Sequence, residues 1–111
     1  GKQKNAGELI GSGIITDIQQ EIRDGFLIGS LFIQENEKNY RVTFQNEFLR
    51  VYFDETIVCE TPDIIALVDE ESKLPLSIEQ MRFGLRVEIK KLEVDSVWKT
   101  EKGLQIARSS L

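Results

Sequence analysis

The sequence predicts an all-β domain of about seven short strands, arranged as a sandwich or a small barrel, with at most one short helical turn. Three observations carry this. Apolar and polar residues alternate with period two over most of the chain. Turn signals recur at short, regular spacing, the form expected of sandwiches and barrels. The one helix signal is confined to Ser77–Met81.

The elements follow in order. Residues 1–7 are polar and read as a frayed tail or tag remnant, and residues 8–111 as a single β domain cut from a larger protein. In "GIITDIQQEIR", Ile14, Thr16, Ile18, Gln20 and Ile22 fall on one face and Ile15, Asp17, Gln19, Glu21 and Arg23 on the other, a long half-exposed strand. Gly11 and Gly13 mark a bulge or a close backbone approach. Asp24-Gly25 is a two-residue hairpin signal into "FLIGSLFIQ", and "ENEKN" is the next turn. "YRVTFQ" and "FLRVYF" alternate on either side of Gln45-Asn46-Glu47, and "DE" leads into "TIVCE". Pro62 then removes a donor and disfavours helix at Thr61. "IIALVD" is nearly continuous in apolar residues, as in a buried strand, and "EESKLPL" reads as a loop. Ser77 and Gln80 have capping-box spacing for one helical turn. "LRVEIKKLE" alternates again, and Trp98 is the expected anchor of the mixed tail.

Composition excludes several functions. The 111 residues carry a net charge of −5, and their basic residues are scattered, so nucleic acids and anionic membranes are poor partners. There is no histidine and one cysteine, Cys59. Ser-His-Asp and Cys-His nucleophilic sites and the usual Cys/His zinc sites therefore cannot be built within this chain. No internal disulfide can form, which fits a reducing compartment, and the expected location is the cytoplasm. No apolar run approaches the roughly 20 residues that span a bilayer. The single methionine is Met81 and the chain starts with Gly1, which leads to the expectation of a piece of something longer.

The candidate chemistry is sparse. Gln45, Asn46 and Glu47 either present amide and carboxylate groups to a ligand or form a turn, since Asn tolerates left-handed backbone. Asp63 is either a base whose pKa burial raises or a turn carboxylate accepting local N–H groups. Arg82 either clamps a carboxylate bidentately or ties two loops together. Asp54-Glu55 and Asp69-Glu70-Glu71 lack the spacing of a calcium loop and read as solvated turns. Cys59 lies within a strand and reads as buried filler. Gly11-Ser12-Gly13 lacks the Lys-Ser/Thr end of a phosphate loop. No metal site and no cofactor are expected.

Taken in order, "RVTFQNEFLRVYF", "TPDIIALVDEESKLPLSIEQMRFGLRVEI" and "VWKTEKGLQIA" resemble the C-terminal region of the S-methyl-thiohydantoin-desulfurase-like family, often described as hydantoinase-subunit-like. The matching residues are Phe44, Gln45, Asn46, Glu47, Pro62, Asp63, Asp69, Arg82, Phe83, Gly84, Trp98, Thr100, Gly103 and Leu104. The resemblance implies a larger protein with an N-terminal α/β region and chemistry on hydantoin-like rings. This chain would be its β-rich C-terminal segment, without catalysis of its own. Its partner would be the N-terminal region of the parent protein, with homo-oligomer contacts as a further role. The alternative is a self-contained small-molecule-binding β module using the polar trio and Arg82 on an apolar scaffold.

Overall fold

The computed structural model describes residues 7–46 and 48–92. Eight strands form one antiparallel sheet: β1 (Gly7–Arg23), β2 (Phe26–Glu35), β3 (Lys38–Gln45), β4 (Phe48–Phe53), β5 (Thr56–Glu60), β6 (Ile64–Asp69), β7 (Pro75–Leu76) and β8 (Arg86–Leu92). Their order is β5-β4-β3-β2-β1-β8-β6-β7. The expected all-β class holds, but the sheet is not closed into a barrel, because β5 and β7 are both edges. β7, within the stretch read as a loop, is the additional strand. β1 starts at Gly7, paired with Leu92, one residue inside the expected tail.

The first five strands form a meander whose connections are all two residues long. The first residue of each is Asp or Asn at positive φ: Asp24 (55°), Asn36 (56°), Asn46 (58°) and Asp54 (49°). Short polar side chains tolerate this backbone where larger ones resist it. Gly25 (83°) and Glu55 (70°) follow Asp24 and Asp54 at positive φ, the pairing that matches the right-handed twist of hairpin strands.

These turns set one register across the meander. Ile18, Leu31, Val42, Val51 and Cys59 lie in one row on the inner face. Leu31, Val42 and Val51 are fully buried, with Ile18 packed against them. The sheet curls, so that Ile65 and Leu67 of β6 and Val87 and Ile89 of β8 share this core with Leu49, Val51 and Cys59. Ile78 of the 3-10 turn Ile78–Gln80 and Met81, which caps its end, complete it. The expected helical turn is thus present, as a 3-10 turn, and Gln80 Oε1 accepts from Ser77 N–H at 2.8 Å.

Two bulges in β1 correct the simple alternation. Register shifts between Leu9 and Gly11, and again between Ile15 and Asp17. One inserted residue exchanges the faces that follow it. Ile15 and Ile18 therefore both reach the core, although strict alternation places them on opposite faces. Gly11 is needed for close approach: the Tyr40 ring occupies the space where its side chain would be. β6 is buried, as its apolar run predicts, and on both faces: Ile65 and Leu67 join the main core, and Ala66 and Val68 form a second cluster with Leu92.

Among the described residues of the four two-residue turns, Glu55 is the one held at positive φ that is neither Asp, Asn nor Gly. Glu55→Gly should therefore stabilise the domain, by up to about 1 kcal/mol after the entropic cost of glycine. Urea unfolding of the two chains checks this, and an unchanged or lower midpoint would contradict the backbone argument.

Candidate functional site

The outer face of the meander is the reverse of the core row. Gln19, Ser30, Thr43, Arg50 and Glu60 lie opposite one another across five strands. Each is one position removed from an inner-face residue, so period two alone makes this row polar. The neighbouring row is Glu21, Ile28, Gln45 and Phe48. All of these but Glu60 line an open groove of about 600 Å³, with Gln19, Ser30, Thr43, Gln45, Phe48 and Arg50 among its walls.

The charges in this groove are paired internally. Arg50 Nε donates to Glu60 Oε1 at 2.7 Å, and the Arg50 guanidinium lies 5.1 Å from the centre of the Phe48 ring. Arg23 pairs with Glu21. What remains is hydrogen bonding by amides and hydroxyls beside the apolar Ile28 and Phe48. The Gln19 amide donates to Asp17 Oδ2 at 3.0 Å, and Thr43 Oγ1 lies 3.5 Å from Arg50 O. Such a surface can orient a polar ligand or hold an interface.

The sequence candidates separate in space. Gln45 ends β3, is exposed and lines the groove. Asn46 is the turn residue, and its N–H donates to Leu27 O at 3.0 Å. Its Oδ1 is shielded from solvent without a partner among the described residues. Glu47 lies outside the described residues, as do Trp98, Thr100, Gly103 and Leu104.

Asp63 sits beside this hairpin at the corner between β5 and β6, next to the cis Thr61–Pro62 bond. Its Oδ2 accepts from Glu60 N–H at 3.3 Å, and its own N–H donates to Glu60 O at 2.9 Å, the local turn arrangement. Thr61 ties the corner to β4. Thr61 N–H donates to Leu49 O at 2.8 Å, and Thr61 Oγ1 accepts from Leu49 N–H at 2.8 Å. The "TPD" corner, apart in sequence, is therefore tied to the β3–β4 hairpin at Leu49, the strand partner of Phe44.

Arg82 belongs to a different region. Its turn is bonded to β1 at Ile15, whereas Gln45 lies in the row of Glu21. Six strand residues separate these positions, about 20 Å. Gln45 and Asn46 are neighbours at the β3–β4 turn, the corner that carries Asp63 is tied to β4 at Leu49, and Arg82 lies apart.

Sequence reasoning missed the Gln19-Ser30-Thr43-Arg50-Glu60 row. The signal was available: two-residue turns fix which residues oppose one another, so the outward positions can be aligned from hairpin to hairpin.

Cys59 is buried behind Glu60. Burial above all, then the Asp63 charge, pushes its thiol up to about 11 from an ordinary 9.0. It stays protonated at neutral pH and is a poor nucleophile. Asp69 is held below the ordinary carboxylate value, first by the Ser72 N–H donated to it at 2.7 Å. Tyr40 is raised, by burial first and then by Glu35 and Asp54. Among the described residues no helix is long and apolar enough to cross a membrane.

The Cys59 shift has a pH consequence. Between pH 9 and about 11 the unfolded chain loses the thiol proton while the folded chain keeps it. The unfolded state then binds fewer protons, so stability falls as pH rises through this window. Urea unfolding at successive pH values should show a steeper decline for the native chain than for Cys59→Ala. Parallel declines would rule out the thiol as the source.

A family model described as S-Me-THD-like, C-terminal domain, matches residues 2–109. No curated protein and no solved structure matches the chain.

Proposed function

Because the chain belongs to the S-Me-THD-like C-terminal domain family, we propose that it is the C-terminal domain of a hydantoin- or thiohydantoin-acting enzyme, without catalysis of its own. Its role is to complete a site or an interface with the N-terminal region of the parent protein. The observation that carries this reading is the groove over β1–β4. Its charged groups are satisfied by one another through Arg50–Glu60 and Arg23–Glu21. Its remaining groups are amides, hydroxyls and an exposed Phe48, suited to contact rather than proton transfer. The absence of histidine from the sequence points the same way.

The position of the groove supports the same role. It opens at the end of the sheet where the β1–β2 and β3–β4 hairpins meet. Phe26 and Phe48 are exposed on this face, Phe48 directly opposite Gln45. Apolar rims around polar groups are what an interface buries. A second reading, a self-contained ligand-binding module, draws on the groove volume, which falls within the usual range of small-molecule sites.

Co-expression with the N-terminal region of the parent protein tests the proposal. The two pieces should co-purify, and Gln45→Ala with Phe48→Ala should weaken the association without unfolding the chain. A folded chain that does not associate, but melts at higher temperature with a cyclic ureide, would favour the second reading. Turnover of a thiohydantoin by the isolated chain would overturn both.

A further inference from the structure

The turn Arg82–Phe83–Gly84–Leu85 is rigidly held. Gly84 N–H donates to Ile15 O at 2.8 Å, Ile15 N–H to Leu85 O at 2.9 Å, and Leu85 N–H to Arg82 O at 3.2 Å. Gly84 has φ 90°, a backbone that glycine adopts freely and other residues resist. This scaffold presents a phenylalanine to solvent. Phe83 is 76% exposed, the most exposed large apolar side chain among the described residues. The Arg82 guanidinium beside it makes no ion pair or hydrogen bond among the described residues. That is notable in a chain with 19 acidic and 14 basic residues.

Next to this knob lies a shallow cavity of about 510 Å³, lined by Asp69, Glu70, Glu71, Gly84, Leu85 and Arg86. A side chain placed at Gly84 would meet nothing within 4 Å, so the surface there is open. Glu70 Oε1 is shielded from solvent without a hydrogen bond, and Arg86 Nη1 stands 3.8 Å from it, beyond hydrogen-bond reach. The cavity thus combines an apolar wall at Leu85 with a carboxylate whose ion pair to Arg86 is long and which accepts no hydrogen bond at Oε1.

We propose that this knob and cavity form a two-fold interface between two copies of the chain. Phe83 of each copy enters the other's cavity beside Gly84 and Leu85, and Arg82 pairs with the partner's Glu70. A second copy fits because knob and cavity share one turn. A two-fold rotation that seats one knob seats the other, which is the self-complementarity an isologous contact requires. The charges are opposite, and the Glu70 side chain is 40% exposed, which leaves it open to a charge-assisted contact from the partner copy's guanidinium. An exposed aromatic beside an arginine is the usual composition of an interface centre. The patch is small, so the dimer is weak and reversible. It lies about 13 Å along β1 from Gln19, the nearest wall of the groove proposed for the N-terminal region, so either surface can fail without the other.

Sedimentation velocity of the full 111-residue chain, at concentrations up to about 1 mM, tests this. The native chain should show reversible dimerisation. Arg82→Glu and Glu70→Arg should each weaken it by about tenfold or more, because each places like charges face to face twice per dimer. An equimolar mixture of the two variants should form a heterodimer, since both of its charge pairs are again opposite. Phe83→Ser should abolish dimerisation with the sheet's circular dichroism intact. A native chain that stays monomeric overturns the proposal. So does a dimer indifferent to Arg82→Glu, or a mixture that fails to recover association.

Discussion

The structure depends on the four two-residue turns of the meander. Each opens with an Asp or Asn at positive φ, and a turn of that length admits one register between its strands. A slip of one residue would carry Leu31, Val42 and Val51 to the solvent face and Ser30, Thr43 and Arg50 into the core. The energetic penalty of burying those polar groups without partners enforces the register that the turns select. Core and groove are therefore two consequences of one constraint, since the same alternation supplies both.

Curvature comes from other devices. The bulges in β1 increase local twist and let Ile15 and Ile18 face the same core. Glycines at Gly11 and Gly29 leave room for the rings of Tyr40 and Phe44. The corner at Thr61-Pro62-Asp63 then carries the chain from one edge strand, β5, to β6, near the other edge of the same sheet. Thr61 anchors this corner on Leu49 by backbone and side-chain hydrogen bonds. A single sheet thus encloses its core without closing its edges. The edges differ in their protection. β7 is only two residues long and begins with Pro75, whereas β5 has a bulge at Val58 and has its Glu60 end capped by Asp63. Both are devices that discourage edge-to-edge pairing.

The polar trio that ends β3 illustrates how a motif can divide its labour. Asn46 serves the turn through its backbone, as Asp24, Asn36 and Asp54 serve theirs. Gln45 faces outward into the groove because it ends a strand whose Phe44 faces inward. Asp63 supports the neighbouring corner through local hydrogen bonds. Family-pattern residues around this end thus hold a surface in place, and the side chains that line it come largely from positions outside the pattern.

The sequence by itself determined the all-β class, the hairpin positions, the buried β6, the short helical turn and the burial of Cys59. Each rests on local chemistry: period-two alternation, turn residues suited to positive φ, an unbroken apolar run, or capping-box spacing. Only the tertiary structure decided that one sheet curls on itself, that β1 changes face at Thr16, and that the "TPD" corner packs beside the "FQNE" hairpin. It also separated Arg82 from Gln45 and aligned Gln19, Ser30, Thr43, Arg50 and Glu60 into one row. Those outcomes depend on pairings between residues distant in the chain, and a bulge that shifts a strand by one residue leaves no mark in local alternation strong enough to read.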